Sequence, residues 1–147
     1  MTWPQFAAGN PDLAAFGAAR LEATPAYLAT IRADGSPRVH PVSPIIAPTG
    51  LYVFMEPTSP KAGDLRERAR FALHSGVPDN AGSGGEFSVG GLGRLVEDVE
   101  TRASASSAAS YPAEDRYVLF ELQLTEARAN GYGDVVLPAQ PRWSAAG

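Results

Sequence analysis

Tyr27-Leu-Ala-Thr-Ile-Arg32, Asp34-Gly35 and Arg38-Val-His-Pro-Val-Ser-Pro-Ile-Ile46 form the stretch on which the fold turns. The first run alternates in the two-residue period of a strand with one buried face. The second run continues as a strand. An Asp-Gly between two such runs marks a hairpin, because both residues tolerate the backbone of a tight turn. Pro41 and Pro44 carry no N–H, so the second strand must meet an edge or a bulge there.

Further strands follow outward from this hairpin. Pro48-Thr49-Gly50 makes a turn, and Leu51-Tyr-Val-Phe-Met55 reads as a third strand. Ser59-Pro60-Lys61 opens a short helix to about Arg68, and Phe71-Ala-Leu-His74 is a fourth strand. After a Gly/Ser/Asn/Pro loop at 76–85, residues 86–100 are extended, and Gly90, Gly91 and Gly93 suggest a bulge or bend. The Ala/Ser-rich segment 101–110 is a short helix or disordered. Tyr117-Val-Leu-Phe-Glu-Leu-Gln-Leu124 is a sixth strand, and 126–137 is a candidate final one. On the N-terminal side, Asn10-Pro11-Asp12 starts a helix carrying Leu13, Phe16 and Leu21, which Pro25 ends. Residues 1–9 and 138–147 read as tails. Short antiparallel strands with one or two helices predict a single mainly β domain over 1–147, a small β-barrel with helical decoration.

Composition narrows the function. A hydrophobic fraction of 44% with 19% charged residues is that of a chain with a packed core. No cysteine is present, which excludes disulfides, thiolate metal sites and cysteine nucleophiles and suits the cytoplasm. The net charge of −4 argues against a nucleic-acid partner. The longest stretch free of charged residues, 39–55, holds three prolines and a glycine, so no membrane span is expected; nor is a signal peptide. Dinucleotide, P-loop and serine-hydrolase motifs are missing, and His40 and His74 lack metal-type spacing. Glu97, Asp98 and Glu100 read as a solvated face.

Two small constellations remain. Ser59 stands at a helix N-cap with Pro60 at the first helical position, and a helix start with Lys61 beside it is a natural phosphate site. Strand alternation puts Arg38, His40 and Val42 on one face, where Arg38 could fork onto a phosphate and His40 donate to a ring heteroatom. Each also reads plainly as a capped surface helix, an exposed arginine and a satisfied histidine.

In order and spacing, Tyr27–Val42, Leu51–Met55, Ser59-Pro-Lys61 and Arg70-Phe-Ala-Leu-His74 resemble the pyridoxamine 5′-phosphate oxidase-like superfamily, over residues 12 to 125. The resemblance implies a six-stranded antiparallel split barrel that forms a homodimer with FMN at its interface. It implies phosphate binding by Arg38, Ser59 and Lys61. It lays Val39, His40, Pro41, Val42 and Ser43 along the flavin, with Phe54 and Met55 touching it, and brings Glu86 near the ring from the partner subunit. The implied activity is FMN-dependent oxidation or reduction of a small molecule. Members of the family also use an 8-hydroxy-5-deazaflavin coenzyme or, occasionally, haem; the alternative readings are a deazaflavin-dependent reductase, a flavin carrier or sensor without turnover, and a cofactor-free dimer that serves as a scaffold. Ser43 stands where the true oxidases carry a substrate-binding Lys, Pro60 where they carry an Arg, and Pro141-Arg142-Trp143 replaces their Arg-Leu-His motif, which argues against vitamin B6 oxidation. His40 is the one candidate for a general acid.

Overall fold

A computed structural model describes residues 1–145. The hairpin forms as read. β1 (Ala26–Ile31) pairs antiparallel with β2 (Pro37–Val42), from Ala26 opposite Val42 to Ile31 opposite Pro37. The turn is closed by its own residues: Asp34 Oδ1 accepts the Ser36 N–H at 2.9 Å, and Gly35 takes φ 86°, a left-handed value that suits glycine.

The second predicted strand breaks at Ser43-Pro44, where proline cannot continue the ladder, and resumes as β3 (Ile45–Ala47). β3 turns into β4 (Gly50–Met55), and α3 (Pro60–Glu67) leads to β5 (Arg70–His74). β6 (Glu86–Val96) carries a register shift between Gly90 and Gly91, where the glycines foretold a bulge. β7 (Val118–Asn130) joins the predicted sixth strand and part of the candidate final one in a single 13-residue strand. The sheet runs β2-β1-β5-β6-β7-β4-β3, with β8 (Arg142–Ser144) added to β7. Among the described residues the split barrel has eight strands where six were expected: β2 and β3 count twice where one run was read, and β8 lies in the expected 138–147 tail, whose last two residues fall outside the described ones.

The N-terminal tail is also structured. Residues 3–9 form α1 (Trp3–Gly9), started by a capping box between Thr2 and Gln5. Trp3 and Phe6 are buried, and the Phe6 ring lies 5.1 Å from that of Trp143. Asn10 stands at the start of α2 (Pro11–Ala23) but does not cap it; its side chain donates back to the Phe6 carbonyl at 3.2 Å and closes α1 instead.

Two apolar clusters follow from this arrangement. The inner one fills the curl of the sheet with Leu28, Leu51, Val53, Leu73, Phe87, Phe120, Leu122 and Leu124, plugged by Trp3, Phe6, Leu13 and Leu21 of α1 and α2. The outer one packs Ile45, Tyr52, Phe54 and Leu119 beneath α4 (Val99–Ala108). β4 lies between the two and is buried at every position, which explains its unbroken apolar run. α4 begins two residues earlier than read, where Asp98 accepts the Thr101 N–H at 2.9 Å.

Candidate functional site

β2 and the β3–β4 hairpin are the two ends of the sheet path, and they do not pair with each other. Where the C-terminal ends of β2 and β4 come together, a cleft of about 430 Å³ opens between them. Pro41, Val42 and Ser43 line it from the β2 side, Phe54, Met55 and Glu56 from β4, and Lys61 from the first turn of α3. Pro25, Tyr111 and Tyr117 complete the wall. The volume falls in the range of small-molecule and cofactor sites, and the lining is mostly apolar and aromatic, with Lys61 as its cation and Glu56, paired with Arg116, as its carboxylate.

Lys61 makes no ion pair among the described residues, and burial holds its ammonium below the usual lysine pKa. The same helix start leaves the Lys61 N–H without a backbone acceptor, since Pro60 has no N–H and the next two N–H groups turn back onto the Ser59 carbonyl at 3.1 and 3.3 Å. An anion seated there would meet an ammonium, an amide and the positive end of a helix together. Ser59 keeps the N-cap position but not the capping bond: its hydroxyl donates to the Glu56 carbonyl at 2.7 Å.

Arg38 does not line the cleft; it lies alongside α3. Its Nε donates to Asp64 Oδ2 at 2.8 Å, and Asp64 is one helical turn beyond Lys61. Thr30, opposite Arg38 across the hairpin, donates its hydroxyl to the same oxygen at 2.7 Å. Arg68 approaches the other oxygen at 3.6 Å. Burial alone would push the Asp64 carboxyl up, but the bonds from Arg38 and Thr30 and the charges of Arg38 and Arg68 hold it below the ordinary carboxylate value. Arg38 is therefore fixed through Nε, and among the described residues its two Nη groups make no hydrogen bond.

The other predicted residues lie elsewhere. Arg38, His40 and Val42 do share a face, each opposite a buried residue of β1: Thr30, Leu28 and Ala26. His40 is half-buried but outside the cleft lining, and Val39 is 61% exposed on the opposite face. Glu86 accepts from Asn130 Nδ2 at 3.0 Å and stands 3.7 Å from His74. Three strand spacings, about 14 Å along the sheet, separate its strand from β2. Sequence reasoning missed Tyr111, Tyr117, Pro25 and Asp64. Only Asp64 carried a local signal, its i,i+3 spacing from Lys61.

The family model described as pyridoxamine 5′-phosphate oxidase matches residues 14–131, and the chain belongs to that family. Solved structures share the fold at low identity. A heme binding protein from Mycobacterium smegmatis matches with TM-score 0.63 and 20% identity over 81% of this chain; the match spans 55% of that protein's length. The heme storage protein HutZ from Vibrio cholerae matches with TM-score 0.60 and 16% identity, covering 84% of this chain and 95% of its own. A putative pyridoxamine 5′-phosphate oxidase from Listeria innocua matches with TM-score 0.61 and 19% identity, covering 76% and 93%. No curated protein matches the sequence. Among the described residues no helix is long and apolar enough to cross a membrane.

Proposed function

We propose that this protein is an FMN-dependent oxidoreductase that works as a homodimer, acts on a small molecule other than a vitamin B6 phosphate, and holds the flavin in the cleft between β2 and β4. One observation carries the reading: Lys61, at a helix start whose amide has no backbone acceptor, lines a cleft that is otherwise mostly apolar and aromatic, and the one carboxylate there, Glu56, is already paired with Arg116. That combination suits a ligand with a phosphate at one end and a planar ring system at the other. Lys61 and the α3 start would hold the phosphate, with Arg38 close by through Asp64. Phe54, Met55, Pro41 and Val42 would flank the ring and keep water from it. Bound FMN would supply the site that takes and returns a hydride or electrons. No acid–base step is assigned to His40. Glu86 is not among the residues lining the cleft of its own chain; in a dimer it would approach from the partner subunit. A cytoplasmic location fits the absence of cysteine.

Haem is the rival that the neighbours raise; in the cleft only Met55, Tyr111 and Tyr117 are of types that ligate its iron, and the histidine that accompanies a methionine ligand is not in the lining. The cleft lining includes no histidine or cysteine. Burial pushes the Tyr111 hydroxyl pKa up, against the phenolate that a ferric iron would take. A deazaflavin coenzyme would satisfy the same phosphate and ring contacts.

The test is cofactor retention through gel filtration, with FMN, deazaflavin coenzyme and haemin offered separately and mass read by light scattering. Wild type is expected to keep FMN as a dimer, and a Lys61→Ala/Arg38→Ala double variant to lose it. Full flavin on the double variant would refute the phosphate assignment, and retention of haemin or deazaflavin in place of FMN would refute the cofactor.

A further inference from the structure

We propose that α4 and the 109–117 segment after it build the ring-binding wall of the cleft, with Tyr111 as the residue that selects a planar aromatic ligand. The inference rests on the cleft being the ligand site, and it gives a role to the Ala/Ser-rich stretch that sequence alone left without one. α4 lies over β3 with Ala105 fully buried, so small side chains bring the helix close to the sheet. The chain then turns back across the end of β4, and Ala109, Tyr111, Ala113 and Tyr117 pack on the outer cluster.

Two arginines hold this return segment in place. Arg102 of α4 donates to the carbonyls of Tyr117 at 2.7 Å and Glu114 at 3.1 Å, and its guanidinium sits 5.1 Å from the ring centre of Phe54. Arg116 forks onto the Glu56 carboxylate: Nη2 donates to Oε1 at 2.6 Å, and Nε lies 3.1 Å from each oxygen. Glu56 and Phe54 are themselves cleft residues, so the segment is tied to the floor it covers. Phe54, Tyr111 and Tyr117 thus enter the same cleft as Lys61.

Tyr111 stands apart from the other two rings. Phe54 already carries Arg102 on its face, and Tyr117 carries Arg116 at 5.1 Å. Tyr111 has no cation over its ring, and its hydroxyl makes no hydrogen bond among the described residues. It is half-buried, and burial pushes its pKa up. A half-buried ring that packs on the outer cluster but has no cation on its face, carried on a pinned segment at the cleft, is placed to pack its open side against a flat ligand, where aromatic contact adds to the area buried.

The experiment separates the two ends of the site. FMN, riboflavin and inorganic phosphate are titrated into wild type, Tyr111→Ser, Tyr111→Phe and Lys61→Gln, and the emission of bound flavin is recorded. Tyr111→Ser is expected to weaken FMN and riboflavin by the same factor, about three- to tenfold, to leave phosphate affinity unchanged, and to brighten the bound flavin. Tyr111→Phe is expected to restore flavin affinity. Lys61→Gln is expected to weaken FMN and phosphate while sparing riboflavin. If Tyr111→Ser binds both flavins as wild type does, with unchanged emission, or loses phosphate as well, the wall role falls and the cofactor reading stands. If wild type itself binds neither flavin, the cofactor reading falls and takes this inference with it.

Discussion

Replacing Asp64 with asparagine should weaken anion binding even though it removes a negative charge from beside the anion site. The Asp64 side chain is 7% exposed and faces Arg38 and Arg68, which are 22% and 29% exposed. Losing one member of a fully buried pair costs roughly 3–5 kcal/mol. Both arginines here keep some contact with water, so the cost is discounted to about 2 kcal/mol, close to that of one hydrogen bond to a charged group. For a chain of this length about 2 kcal/mol lowers Tm by roughly 6 °C. The pH dependence has a definite sign. The folded carboxyl sits below its ordinary value, so its stabilisation is present above the unfolded pKa and fades as pH falls through the folded one. Urea unfolding from pH 7 down to pH 3 should show the wild type losing an acid-sensitive increment that Asp64→Asn never had. FMN titration is the second arm. Simple electrostatics predicts tighter binding once the carboxylate is gone; loss of the bond that fixes Arg38 predicts weaker binding. Tighter FMN binding by Asp64→Asn, or an acid limb unchanged from wild type, would refute the reasoning.

Two further outcomes test the fold. Phe6→Ala should cost about 3–5 kcal/mol in urea unfolding, because the ring is fully buried between Trp3 and Trp143; a cost below about 1 kcal/mol would return α1 to the status of a loose tail. Arg94→Met should cost about 2 kcal/mol by stranding Glu121, which is 4% exposed and bonded to Arg94 at 2.6 Å, whereas Arg94→Met with Glu121→Leu should recover most of that loss. A double variant no more stable than the single one would show that Glu121 has another partner.

Local chemistry made part of this protein legible from sequence. The hairpin turn, the unbroken apolar strand at 51–55 and the proline-started helix at 60 each announce themselves within a few residues. Features that depend on distant covering did not. Glu121 sits in an alternating run that points it toward solvent, yet α4 covers that face and Arg94, directly opposite in register, neutralises it. α1 has seven residues, too few to show a helical period, and only Thr2 and Gln5 signalled its start. β8 is three residues long and shows no alternation worth reading. Asn10 had the right residue type for a cap, but its side chain serves the helix before it, not the one after. In the cleft, the sequence had singled out Pro41, Val42, Ser43, Phe54, Met55 and Lys61, each beside a strand end or helix start, but also Arg38, Val39, His40 and Ser59, which lie outside the lining. Tyr111 and Tyr117 were not singled out, because their place depends on how a low-complexity stretch returns across the sheet.

The prolines of β2 have a consequence for assembly. Residues 37, 39 and 41 share one parity, and a proline paired with β1 must turn its nitrogen away from that neighbour. Of three outward backbone positions, Val39 alone retains an N–H. The free margin of β2 therefore offers one donor beside three carbonyl acceptors, so another strand, whether β4 of its own chain or one from a misfolded neighbour, could not form a full ladder with it. A barrel with Val or Thr at 37 and 41 would be able to zip shut over the cleft or to recruit strays in the cell. Imino acids at these two positions keep the seam ajar and leave the margin unattractive to aggregation.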